Sequence, residues 1–133
     1  MTESGEDWKA FAESCAAHAF SIERDGLVRL VALCDQHAAD MQRFADRAKV
    51  ELYVNTLGIG ESELESARTL TAKFQDKAIG GGSIAHESSA VGVFEAHRDW
   101  ARAMGDSFRA ALRRYEEQDA VNAAGYGQWG DSL

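Results

Sequence analysis

The sequence predicts an all-α fold, an elongated antiparallel helical hairpin carrying an extra amino-terminal helix. Three observations predict it. The 133 residues include no proline, the strongest helix breaker, and are rich in Ala, Glu, Arg and Asp. Apolar residues make up 45% of the chain and recur at spacings of three and four over long stretches, which stacks them on one side of a helix. Glycine clusters, rather than strand-like alternation, interrupt those stretches.

One domain is the expectation for this length. The 22 acidic and 14 basic residues give a net charge of −8, which repels phosphate backbones and anionic lipid and argues against nucleic-acid or membrane-surface binding. No stretch approaches the ~20 consecutive apolar residues of a membrane span. The opening MTESGEDWKAFAESC is acidic where a cleavable secretory signal is basic and then apolar, so a protein of this sequence that leaves the cell is expected to leave folded or by an unusual route.

The first element is a short helix over about residues 6–19, because Trp8, Phe11, Ala12, Cys15 and Ala19 fall on one side. Residues 1–26 hold six acids against two bases, half of the total excess, and form an acidic amphipathic arm ending in a turn at Asp25-Gly26. A long helix follows over 27–54. Leu27, Leu30, Val31, Cys34, Ala38, Met41, Ala45, Ala48 and Leu52 form its narrow seam, with Leu33 and Phe44 on one flank. Asn55-Thr56-Leu57-Gly58-Ile59-Gly60 predicts a kink or loop near 57–61. Ser62-Glu63-Leu64-Glu65 then reads as a capping box restarting the helix, with Ser62 serving the exposed amides and Glu65 reaching back.

Leu64, Ala67, Leu70, Thr71, Phe74 and Ala78 continue a stripe to Gly80-Gly81-Gly82, the strongest break in the chain and the expected hairpin tip, near 79–84. A last helix is expected over about 85–122, with Phe94, Ala101, Met104, Phe108, Leu112 and Tyr115 in helical register and Trp100 joining through Met104. The hairpin thus spans 27–122. Residues 123–133 contain three glycines and no period, which predicts a flexible tail.

Near the end of that last helix stands Arg113-Arg114-Tyr115-Glu116-Glu117-Gln118-Asp119, in which Tyr115 and Asp119 lie four residues apart on one helix face. This Y-x-x-x-D pair resembles the export signal of type VII (ESX) secretion substrates of actinobacteria. Acids in a last helical turn oppose the helix dipole by ~0.3–1 kcal/mol each, so Glu116, Glu117 and Asp119 ask for another reason to be there. The resemblance extends over about residues 20–122, through Phe20-Ser21-Ile22-Glu23-Arg24-Asp25-Gly26-Leu27, Leu57-Gly58-Ile59-Gly60 and Ala72-Lys73-Phe74-Gln75-Asp76-Lys77-Ala78. The chain is similar to the small helical-hairpin proteins of the WxG-type superfamily. Two departures stand out: the tip Gly80-Gly81-Gly82-Ser83 lacks the Trp-x-Gly motif, and the helix at 6–19 is an addition.

The resemblance implies a non-enzymatic secretion substrate or targeting partner that forms half of a four-helix bundle. Its partner would be another helical-hairpin protein or the amino-terminal domain of a toxin, and Tyr115 with Asp119 would be read by the type VII secretion ATPase. Leu27, Val31, Met41, Leu52, Phe94, Trp100, Met104, Phe108 and Leu112 are then the expected partner interface. It also implies secretion after cytoplasmic folding, without membrane insertion. A self-paired homodimeric bundle is one alternative. A cytosolic acidic interaction protein, such as an immunity protein or chaperone with a basic partner, is the other.

Two C-x-x-H pairs, Cys15 with His18 and Cys34 with His37, supply the residue types of a Cys2His2 zinc site. Both pairs sit on helices whose periodicity already assigns the cysteines to the apolar face, so no metal and no cofactor are expected. The midpoint of Cys15 and Cys34 falls in the turn before the long helix, which sets the two cysteines opposite each other on an antiparallel pair and permits a disulfide in an oxidising space. His86 and His97 look isolated. Nucleophile elbows, HExxH zinc motifs and phosphate-binding loops are absent from the sequence, so catalysis is not expected.

Overall fold

The structure, a computed structural model, describes residues 9–10 and 23–131. Among these residues it is all-helical, with α1 (Arg24–Glu51), α2 (Glu65–Ile79), a 3-10 turn at His86–Ser88 and α3 (Ala90–Asp131). The one strand-like pairing among them is an isolated antiparallel bridge between Gly81 and Ile84. The expected helix at 6–19, and Cys15 with it, lies outside the described residues except for Lys9 and Ala10, which are helical. No described helix is long and apolar enough to cross a membrane.

Contacts divide the described residues into two compact units, one holding those up to Asp35 together with those from Arg102 onward and the other Gln36–Ala101. In the first unit, the start of α1 runs antiparallel to the later part of α3. Arg24 faces Glu116 at 3.6 Å, while Cys34 packs so near Gly105 that a Cβ on the glycine would stand 3.2 Å from the cysteine Cβ. Leu27, Cys34 and Phe108 form the core, and Leu30, Val31, Met104, Ala111, Leu112 and Tyr115 pack around it. Leu27 is fully buried and Phe108 is 5% exposed, burial that stabilises by about 1.5–3 kcal/mol for each such side chain.

In the second unit Ala45, Ala48 and Val91 form the core, with Ala90 and Phe94 against it. The Phe44 and Phe94 rings are tilted by 50° with centroids 5.7 Å apart, and Arg98 Nη1 donates to Gln42 Oε1 at 2.6 Å. Contacts on α3 therefore fall in number as those on α1 rise, and here too the segments are antiparallel. The small side chains Ala45 and Ala48 are 0% and 3% exposed in this contact. α2 buries Ala67, Thr71 and Ala78 and is tied to the segment after α1 by Gln75 Nε2, which donates to the Val54 carbonyl at 2.8 Å.

Three local expectations differ from the structure. The Ser62–Glu65 capping box does not form, because Leu64 takes an extended conformation (φ −111, ψ 122), α2 begins at Glu65, and no side chain caps it. The last helix starts at Ala90 rather than near residue 85. Ser89 caps it: its Oγ accepts from Gly92 N at 3.1 Å and donates to the His86 carbonyl at 2.6 Å. Finally, α3 runs to Asp131 where the glycines predict a flexible tail from 123. A glycine inside a helix weakens it by about 1 kcal/mol but stops it only where the backbone turns to positive φ.

Candidate functional site

Tyr115 and Asp119 lie on one face of α3, a turn apart, at a separation of roughly 5–6 Å between Cβ atoms in any α-helix. Their environments differ. Tyr115 is half-buried against the Leu27–Cys34–Phe108 core, whereas Asp119 is exposed, as are the flanking residues 116–118 and 120–124. A ring seated on the core is thus followed, one turn onward, by a carboxylate in solvent. Because α3 continues to Asp131, Glu116, Glu117 and Asp119 occupy the helix interior. The dipole cost expected of acids in a last turn therefore does not apply to them.

The residues expected at a partner interface divide by burial. Leu27 and Phe108 are spent inside the first unit, at 0% and 5% exposure, and the seam assigned to a partner is at those two positions the chain's own core. Val31, Met104 and Leu112 are half-buried around them. In the second unit Met41, Phe94 and Trp100 are half-buried and Leu52 is 49% exposed. Leu52 and Phe94 line a shallow open depression of about 200 Å³ with Phe44, Ala48, Arg47 and Glu51. Arg47 and Glu51, paired at 3.0 Å, form its charged rim.

Cys34 carries a free, buried thiol. Burial pushes its pKa up, Asp35 adds to the rise and Arg109 opposes it, so the thiol is held protonated and is a poor nucleophile at neutral pH. The partner of the expected disulfide, Cys15, lies outside the described residues, as does His18. His37 is exposed while Cys34 is buried, so this C-x-x-H pair does not present both side chains together. Among the described residues no group of three or more His, Cys, Asp or Glu side chains is placed to hold a metal ion.

His86 and His97 are not isolated. His97 meets the Trp100 ring edge-on with centroids 5.1 Å apart. His86 joins Ile79 to Glu95, with Nδ1 2.9 Å from the Ile79 carbonyl oxygen and Nε2 3.0 Å from Glu95 Oε1. A second unforeseen site is Glu61. Its Oε1 accepts from Leu57 N at 2.5 Å, Gly58 N at 3.1 Å and Thr71 Oγ1 at 3.1 Å. A bond from its own backbone N–H, followed by those from the Leu57 amide and the Thr56 and Thr71 side chains, outweighs desolvation and depresses its pKa from 4.5 to about 2. The sequence signals for both are glycines, Gly58 (φ 69) and Gly80 (φ 94), whose positive φ turns the chain back on itself.

No protein-family model, no curated protein and no solved structure matches this chain.

Proposed function

We propose that the protein is a non-enzymatic substrate or targeting partner of type VII secretion, which pairs with another helical-hairpin protein or a toxin's amino-terminal domain and displays Tyr115 and Asp119 to the export ATPase. The observation that supports this most directly is the contrast along one face of α3, where Tyr115 is anchored on the core and Asp119 stands in solvent one turn on. A receptor reading a phenol edge and a carboxylate together needs that fixed spacing. The net charge of −8 disfavours nucleic acid and anionic lipid as the binding partner and leaves a protein surface as the better match.

In this reading the antiparallel helix segments form a hairpin that contributes half of a four-helix bundle. The partner covers Val31, Met104 and Leu112 in the first unit. In the second it covers Met41, Leu52, Phe94 and Trp100, with one of its apolar side chains entering the depression beside Leu52 and Phe94. Leu27 and Phe108 support that surface from beneath.

The test is export of wild type and Asp119→Ala by a host with and without its type VII ATPase, followed by immunoblot of cells and medium. Extracellular wild type that depends on the ATPase and is lost in Asp119→Ala, with cellular levels preserved, supports the assignment. Wild type retained in the cell overturns it in favour of a cytosolic acidic binding protein. Equal export of both chains would place the signal on a partner.

A further inference from the structure

The connector from α2 to α3 is closed by one imidazole. Ile79 O and Glu95 Oε1, at 2.9 Å and 3.0 Å from the two ring nitrogens of His86, are both hydrogen-bond acceptors. A neutral imidazole carries one N–H and satisfies one of them, whereas the imidazolium donates to both. The backbone that carries the ring is closely held. A Cβ at Gly80 would stand 2.8 Å from His86 Cα, and one at Gly92 would stand 1.9 Å from the His86 carbonyl oxygen. The turn is thus packed against glycines on both sides.

The charges facing His86 come from each neighbouring element. Glu95 approaches from α3 and Glu87 from the 3-10 turn itself. Asp76 of α2 lies beside Gly81 and Gly82. Behind Glu95 stands Arg98, whose Nη1 is 3.9 Å from the second Glu95 oxygen. Arg98 also donates to Asp99 at 2.9 Å and to Gln42 of α1 at 2.6 Å. Glu95 is therefore shared between a group that can lose its proton and one that cannot.

We propose that His86 is a proton-operated clasp of the α2–α3 connector: its imidazolium holds Ile79 and Glu95 together, and release of the proton to solvent transfers Glu95 to Arg98 and frees one side of the turn. The bonds to Ile79 and Glu95 and the negative charge of Glu95 and Glu87 raise the His86 pKa above its usual 6.5. The clasp is accordingly complete below pH 6.5 and is lost as pH rises through the higher midpoint of the folded protein. This device uses neither Tyr115 nor Asp119 and stands apart from the export assignment.

The experiment follows the His86 ring by NMR from about pH 5 to 9, alongside hydrogen exchange of the Gly81 and Ile84 amides corrected for intrinsic rates. Those amides bond to each other's carbonyls at 2.8 and 2.9 Å and report whether the turn is closed. The clasp predicts a His86 midpoint above 6.5 and a severalfold loss of Gly81 and Ile84 protection across that midpoint. Glu95→Gln should lower the midpoint and move the protection curve with it, and His86→Gln should make protection independent of pH. A midpoint at or below 6.5, flat protection in wild type, or an unchanged curve in His86→Gln overturns the proposal. Should His86→Gln fail to fold, Glu95→Gln decides the matter, because it keeps the imidazole and asks whether midpoint and protection shift together.

Discussion

One guanidinium nitrogen of Arg109, Nη2, donates to both carboxylate oxygens of Asp35, joining α3 to α1 across 74 residues of sequence, while Nη1 of the same group reaches Asp106 at 3.1 Å. The pair sits where Gly105 admits Cys34, so it marks the register of the first unit. The side chains are 37% and 54% exposed, and solvent screens them. A double-mutant cycle with Arg109→Ala and Asp35→Ala is expected to give a coupling of about 0.2–1 kcal/mol in urea unfolding. It should largely vanish at about 1 M salt. No measurable coupling at low salt would mean that the two helices do not meet in this register.

Two glycines of α3 are expected to respond in opposite directions to alanine. At Gly92 the new methyl would fall 1.9 Å from the His86 carbonyl oxygen and 2.8 Å from Glu87 Cα, both backbone atoms that cannot step aside cheaply. Gly92→Ala should therefore destabilise by about 1–3 kcal/mol. At Gly125 nothing lies within 4 Å, and the residue is inside the helix. Gly125→Ala should stabilise that end of the helix locally by roughly 0.5–1 kcal/mol, read as increased far-UV helicity and slower amide exchange around it. Helicity unchanged by Gly125→Ala would return residues 123–131 to the flexible tail that their composition predicts.

Glu61 sets an acid limit on the loop before α2. Its pKa in the folded protein is about 2 against the usual 4.5, so in that interval the unfolded chain binds the proton more readily. The contribution to stability is present above pH 4.5 and is lost as pH falls through about 2. Glu61→Gln should lower the melting temperature at neutral pH, and the gap to wild type should close as the solution is acidified into that range. A gap of constant size down to the acid limit would show that the carboxylate charge contributes nothing there.

The buried face of α1 was legible because it depends only on helical period. Leu27, Cys34, Ala38, Ala45 and Ala48 are all buried, and all stand in the three-and-four pattern of the sequence. What covers an apolar face is not written in its period, which is why Leu27 and Phe108 read equally well as partner contacts and as the chain's own core. The stripe on α2 is divided for the same reason: Ala67, Thr71 and Ala78 are buried, while Leu70 and Phe74 stay 45% and 50% exposed. Ser62 and Glu65 have the spacing of a cap, yet Glu61 reaches Leu57, Gly58 and Thr71 instead. That choice depends on loop geometry set by Gly58 and Gly60. His86 looked solitary because its partners, Ile79 and Glu95, are seven and nine residues away and meet it only after the glycine turn folds. The shared face of Tyr115 and Asp119 needed nothing but a helix, whereas the seating of Tyr115 on the core needed the second helix as well.

That seating determines how the export assignment must be tested. Tyr115→Ala removes a ring from the Leu27–Cys34–Phe108 core, and for a half-buried aromatic side chain a loss of about 1–2 kcal/mol is expected, below the range for full burial. A less stable protein can disappear from the medium through degradation without any signal having been lost. Tyr115→Phe keeps the ring in place and removes only the hydroxyl. Asp119 is exposed, so Asp119→Ala should change stability by no more than about 0.5 kcal/mol. Export and melting temperature measured together on these three variants separate the two explanations. A recognition epitope requires Asp119→Ala to lose export at the wild-type melting temperature. If export instead falls in proportion to stability, with Asp119→Ala secreted normally and Tyr115→Ala alone depleted, Tyr115 is a packing residue and the export signal lies elsewhere.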